Sequence, residues 1–342
     1  MAQASPCFDA PQSEPPQLAK LQKLSLDDKI LYSSVKIKEF YIATKGKVYV
    51  AYSGGKDSTV LLHLVRSIYP DVPAVFVDTG LEFPEIRDHV KQTENVVWVK
   101  PEMSFRQVIK EKGYPVVSKS ISHWVDLAKR GQPSGIKQMS SDSRFGGKRY
   151  EYLIDAPFKI SRDCCDILKK KPSKKYHQET GLCPYIGMLA EESDTRRQAY
   201  GMHGENNTDR AIPTSNPLMI WTTKDIWEYI KRYDLPYASI YDKGYPRTGC
   251  IFCMFGITVD RDRILRDLGT LPYIMVNRDA PRTQRMTDLK RWTRPQIFFT
   301  TDYEDYVRSN HARMTDSMVI QRQATLDRLE TYSKPLKGVD IE

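Results

Sequence analysis

Ser53-Gly54-Gly55-Lys56-Asp57-Ser58 packs two glycines, two hydroxyls, a cation and a carboxylate into six positions. An apolar run, "VYVAY", precedes it, and a helical apolar pattern, "TVLLHLV", follows it. A strand, a glycine turn and a helix in this order form an anion cradle. Glycine allows backbone angles and close approaches that a side chain forbids. The amides of Gly54 and Gly55, with those of residues 56–58 at the helix start, can converge on a phosphate. Ser53 and Ser58 add hydroxyl donors, and Lys56 adds positive charge. Asp57 stands where it could cap the helix or help hold magnesium. The spacing is neither G-x-x-x-x-G-K-[ST] nor G-x-G-x-x-G.

A second group is built on sulfur. Cys164 and Cys165 are adjacent, and far down the chain Cys250 and Cys253 form a C-x-x-C. Four thiolates in this pattern suit an iron–sulfur cluster. Structural zinc is the alternative, and two unrelated buried thiol pairs are the plainest reading. Cys183 is a fifth thiol, expected to be buried or to lie beside the others; Cys7 falls in the N-terminal stretch, away from both pairs in sequence. Lys169, Lys170, Lys171, Lys174 and Lys175 follow the first pair, and Lys169 and Lys170 fall one helical turn past it, close enough to hold an anion.

The elements that must position these groups alternate. The sequence predicts a Ser-capped amphipathic helix over 25–44, a strand at "KVYVAYS" and a helix at "DSTVLLHLVRSIY". It then predicts a strand at "VPAVFVDTG", a helix at "FPEIRDHVKQT" with Pro84 in its first turn, a strand at "NVVWVKP" and a helix at "SFRQVIKEKG". Such alternation implies βαβ units and a parallel sheet. In that geometry Ser53 and Asp78 lie at carboxyl ends of strands, where open α/β sheets bind ligands. Asp78 could take a ribose hydroxyl or a metal. "YIGMLA" reads as a further strand and "TTKDIWEYIKRYDL" as a helix opened by threonines.

Residues 1–24 read as a flexible arm, 25–244 as a nucleotide-binding α/β domain with a mobile loop or lid at about 131–150, and 245–342 as a cysteine loop with a helical region. The 342-residue chain carries 52 Lys and Arg against 43 Asp and Glu, a net charge of +9, which favours anionic partners. No run of about 18 apolar residues is present, so no membrane partner is expected. No secretory signal is apparent, so a cytoplasmic location with reduced thiols is expected.

"SGGKDS" resembles the PP-loop of the ATP-pyrophosphatase and PAPS-reductase superfamily, and "VFVDTGLEFPE" and "GYPVVSK" resemble further segments of the reductase branch. The resemblance implies a doubly wound, mainly parallel sheet of the adenine-nucleotide alpha-hydrolase type, with a mostly helical C-terminal extension. It implies an adenine nucleotide (ATP, APS or PAPS) held by Ser53, Gly54, Gly55, Lys56, Asp57 and Ser58 and by Asp78, Thr79 and Gly80, with Lys56 and Asp57 in catalysis and magnesium accompanying ATP. "GMLAEESDTRRQAY" resembles the family's G-x-R-x-x-[EQ]-S. Glu192 and Ser193 match its end, but the arginine is not in place, and Arg196 and Arg197 could substitute from the next turn. The cysteine pattern resembles the [4Fe-4S] signature of APS reductases, which would be held by Cys164, Cys165, Cys250 and Cys253.

Two reactions fit this resemblance. One is reduction of APS or PAPS to sulfite, in which a nucleophilic cysteine attacks the sulfonate sulfur and a thioredoxin-like donor clears the product. In the family that cysteine lies in a C-terminal E-C-G-x-H segment, and none follows Cys253 here. The other is ATP-dependent adenylation of an acceptor followed by sulfur transfer, as in tRNA-thiolating and DNA-phosphorothioating enzymes. The displaced arginine and the missing cysteine tilt the expectation to transfer, with tRNA or DNA as a candidate acceptor. A nucleotide-binding iron–sulfur sensor or assembly subunit without turnover is the third reading.

Overall fold

The Ser-capped helix forms as α2 (Leu26–Ala43), and the Ser25 hydroxyl accepts the Asp28 amide at 3.2 Å. The structure is a computed structural model, and it describes residues 16–143, 146–156, 158–250 and 255. Cys253, Cys7 and nearly all of the expected C-terminal helical region lie outside the described residues.

Six strands form one sheet: β1 (Val48–Ala51), β2 (Ala74–Val77), β3 (Val96–Val99), β4 (Cys183–Ile186), β5 (Asn206–Asn207) and β6 (Thr214–Ser215). Their order is β3-β2-β1-β4-β6-β5. Every pairing is parallel except β5 with β6. β1 and β2 are buried along most of their length, as expected for strands inside a parallel sheet. This is the doubly wound arrangement expected from the alternation. The winding reverses at β1, which pairs with β2 on one side and β4 on the other. Such a reversal opens a crevice at the carboxyl ends of the strands.

Around the strands run α1 (Pro16–Leu21), α3 (Lys56–Arg66), α4 (Pro84–Gln92), α5 (Phe105–Lys112), α6 (Lys119–Lys129), α7 (Pro133–Met139), α8 (Lys171–Thr180), α9 (Asp194–His203) and α10 (Thr223–Arg232). α10 starts on a capping box between Thr222 and Asp225, as its opening threonines suggested. The chain divides into two units. Of the described residues, one comprises those at 16–78, 82–100 and 171–248, and contains the whole sheet; the other comprises those at 79–81, 101–170, 249, 250 and 255. The division interleaves along the chain.

Two expectations are corrected. Residues 16–21 of the supposed arm form α1, and Leu18 is fully buried. The supposed lid at 131–150 contains α7, and Gly135, Met139, Gly147 and Tyr150 anchor it in the second unit while most of its other described residues are exposed. Met139, Tyr150 and Leu153 are buried together with Val116, Val125 and Phe158. Three of its glycines, Gly135, Gly146 and Gly147, serve close approach: a Cβ on Gly135 would lie 2.5 Å from the Ala128 nitrogen. A segment rich in Gly, Ser and Lys looks mobile because its few apolar residues are widely spaced, yet two of them, Met139 and Tyr150, carry packing.

Candidate nucleotide-binding site and cysteine segment

The turn from β1 into α3 is built as its residues require. Gly54 has φ +71°, and a Cβ there would lie 2.6 Å from Val90 Cγ2 and 2.8 Å from Ile86 Cγ2. Gly55 is the N-cap of α3. The Ser53 amide donates to Ser58 Oγ at 3.2 Å, and the Gly55 amide donates to Ser53 Oγ at 3.3 Å. The Ser58 hydroxyl donates to the Gly55 carbonyl at 2.8 Å. These bonds tie the loop into one rigid bend. Among the described residues no partner falls to the amides of Asp57 and Ser58, which lie in the first turn where a helix offers none. They remain as donors for an anion, reinforced by the positive end of the helix dipole.

Lys56 is buried, and its ammonium is held by the Asp57 carboxylate at 2.9 and 3.1 Å. Asp57 thus anchors Lys56 instead of capping the helix. The carbonyl of Asp57 packs against Gly187, just after β4, where a Cβ would come within 3.1 Å.

Residues 192–197 separate into different roles. Ser193 caps α9, its Oγ accepting the Arg196 amide at 3.3 Å. Glu192 binds two guanidiniums, those of Arg196 and Arg247, the latter at 3.5 Å. Burial pushes the Arg196 guanidinium below its usual range, the nearby Arg247 charge adds to this, and Asp57 opposes it. Arg196, Arg247 and Asp57 therefore share one electrostatic neighbourhood beside the loop. Arg197 is engaged elsewhere, in a surface pair with Asp194 at 2.5 Å. Asp78 at the end of β2 is buried and paired with Arg87 at 2.9 Å. Thr79 and Gly80 fall in the second unit, where Thr79 Oγ1 accepts the Leu81 amide at 3.2 Å. Tyr241, Thr248 and Arg87 were not singled out from sequence. No local motif marks them, and only the folded chain brings Tyr241, Thr248 and Arg247 to the loop.

His89 backs the loop from α4. It is buried, and its Nε2 lies 3.2 Å from Thr59 Oγ1, which itself donates to the Gly55 carbonyl at 3.1 Å. Burial lowers the basicity of His89 from its ordinary value of about 6.5, and that of His63 on α3 likewise. A histidine held neutral in the folded state gives stability that is complete above about pH 6.5 and lost as pH falls below it. The melting temperature is expected to drop between pH 7 and pH 5, and His89→Gln should flatten that drop. An unchanged pH profile in the variant would refute this assignment.

Of the paired cysteines, Cys164, Cys165 and Cys250 are described, each in the second unit. Cys164 and Cys165 immediately precede a single π-helical turn (Asp166–Lys170). A hydrogen bond from Cys164 pushes the Cys165 thiol down to about 6, and the charges of Lys119, Lys169 and Lys170 assist against burial. A thiol so placed is a ready thiolate and suits metal ligation. Among the described residues no three His, Cys, Asp or Glu gather as a metal group. Cys183 lies buried in β4, where burial raises its thiol. Among the described residues no helix is long and apolar enough to cross a membrane.

The profile of the Phosphoadenosine phosphosulfate reductase domain matches residues 47–151 and 95–255. Uncharacterized protein MJ0066 of Methanocaldococcus jannaschii is 29% identical over 221 residues, covering 64% of this chain and 38% of its own length. The chain thus spans well under half of that relative. The adenosine 5'-phosphosulfate reductase of Geobacillus kaustophilus is 29% identical over 217 residues, covering 63% of this chain and 76% of its own. A solved phosphoadenylyl-sulfate (PAPS) reductase from Candida auris, in a phosphate complex, aligns with 70% of this chain and 98% of its own at 16% identity and a TM-score of 0.40. The profile match opens one residue before β1 and closes beyond Cys253, so both the loop and the paired cysteines fall within it, and the chain belongs to the phosphoadenosine phosphosulfate reductase domain family, an enzyme family.

Proposed function

We propose that the chain binds an adenine nucleotide with its phosphates at residues 53–58 and uses it in sulfur chemistry. The observation that carries this reading is the loop itself: Gly54 in the left-handed region, the Asp57 and Ser58 amides at the helix start, and Lys56 held by Asp57. The reaction we favour is ATP-dependent sulfur transfer. An acceptor oxygen attacks the α-phosphorus, the bond to the β-phosphate oxygen breaks, and pyrophosphate leaves. Hydrosulfide then attacks the activated carbon or phosphorus of the acceptor, and AMP departs with the acceptor oxygen. Lys56 and the loop amides stabilise charge on the departing pyrophosphate, and magnesium brought in with ATP would supply further neutralisation of phosphate charge. Arg196 and Arg247, both on Glu192, supply positive charge beside Asp57. The excess of basic residues supports an anionic acceptor such as tRNA or DNA.

Cys164, Cys165, Cys250 and Cys253 would hold the iron–sulfur cluster, and the lowered Cys165 thiol supports ligation. When bound, such a cluster supplies one-electron redox capacity and sulfide. Cys250→Ser is expected to strip bound iron and sulfide from anaerobically purified protein. A variant that kept its full iron would remove the cluster assignment.

Reduction of APS or PAPS is the second reading, favoured by relatives named adenosine 5'-phosphosulfate reductase. Offering ATP with magnesium, APS and PAPS separately, with a thioredoxin-like donor, separates the two. ATP binding without sulfite release supports transfer. Sulfite release replaces it with reduction. Binding of none of the three overturns the nucleotide reading.

A further inference from the structure

The space over Gly55 is filled by hydroxyls. A Cβ there would lie 3.2 Å from both Tyr241 Oη and Thr248 Oγ1, and 3.3 Å from Ser53 Oγ. Tyr241 Oη accepts the Lys56 amide at 2.9 Å, and its oxygen is 3.4 Å from Thr248 Oγ1. The ring is buried against Trp227, with centroids 5.4 Å apart. A side chain 185 positions away thus occupies an amide at the very start of α3. Of the first-turn donors at 56–58, this is the one with a protein acceptor among the described residues.

We propose that the Tyr241 hydroxyl is a built-in surrogate for a phosphate oxygen, which an incoming nucleoside polyphosphate must displace from the Lys56 amide, so that Tyr241 limits affinity at the loop. This rests on the nucleotide reading above. The exchange is favourable because a phosphate oxygen is a charged acceptor, whose hydrogen bonds are roughly twice as strong as neutral ones. The phenol is neutral, since burial raises its proton affinity. It competes with the phosphate without matching it. Thr248, which shares the space over Gly55, yields with it.

The test compares the full chain with Tyr241→Phe, which keeps the ring against Trp227 and removes only the oxygen. Inorganic pyrophosphate and magnesium-ATP are titrated into each by calorimetry. The variant is expected to bind both roughly three- to tenfold tighter, the worth of one neutral hydrogen bond that no longer has to be broken. Hydrogen exchange at the Lys56 amide should quicken in the variant and slow again with pyrophosphate. Equal or weaker binding by the variant overturns the surrogate while leaving the nucleotide reading standing. Binding by neither protein removes the nucleotide reading and the surrogate together.

Discussion

Gly54→Val is expected to raise the dissociation constant for magnesium-ATP by about 100-fold or more, with the sheet still folded. Two independent constraints meet at this residue. Its φ of +71° is one that a β-branched side chain rarely adopts, and the space over it is occupied by Val90 and Ile86, both buried in α4. Neither neighbour can swing away, so the loop must shift. A shift there breaks the bonds from Ser53 to Ser58 and from Gly55 to Ser53, and it turns the Asp57 and Ser58 amides away from a shared anion. Each charge-assisted hydrogen bond is worth about 1.5–3 kcal/mol. Losing two therefore costs about two to four decades of affinity. Gly181→Ala is the control for backbone strain alone, because Gly181 also has positive φ, +70°, but open space around its Cβ position. That variant should lose stability and keep its affinity. Isothermal titration of both, with circular dichroism to confirm folding, decides the matter. A Gly54→Val protein that binds ATP as the parent does would mean that phosphates are not held at this loop.

The parts of the site legible in sequence are those whose chemistry is contiguous. Six neighbouring residues declare the cradle, because strand, glycine turn and helix start must be consecutive in the chain to build it. The elements around it were legible for the same local reasons: a capping serine before α2, threonines before α10, and short apolar runs for β1 to β3. What stayed hidden is what the fold assembles from a distance. Tyr241 reaches the Lys56 amide across 185 positions, and no periodicity or motif announces a tyrosine that caps another helix. Arg196 and Arg197 are adjacent and chemically alike, yet one joins Glu192 beside the loop and the other pairs with Asp194 at the surface. Their order along α9 decides this, and it depends on which face of the helix turns inward. Residues 131–150 misled for the opposite reason: composition suggested freedom, while Met139, Tyr150 and a close-packed Gly135 fix the segment.

Asp225→Ala is expected to destabilise the fold by about 3–5 kcal/mol. Its carboxylate meets the Lys29 ammonium at 2.6 Å, with the two side chains 12% and 2% exposed. The same oxygen accepts the Thr222 amide at 2.6 Å and the Thr222 hydroxyl at 2.8 Å, so it also caps α10. Removing it strands a buried cation and uncaps a helix that is tied to α3 through the His63–Tyr229 bond of 2.9 Å. Removing the cation instead is milder, because the carboxylate keeps its threonine donors. The order of melting temperatures should therefore be parent, then Lys29→Met, then Asp225→Ala, the last lower by on the order of 10 °C. Lys29→Met combined with Asp225→Asn should recover most of the loss, since it removes the charges together and keeps a capping oxygen. If Asp225→Ala melted within a degree or two of the parent, the pair would not hold α2 to α10. If the double variant were as unstable as Asp225→Ala, the cost would lie in the shape of the site and not in the stranded charge.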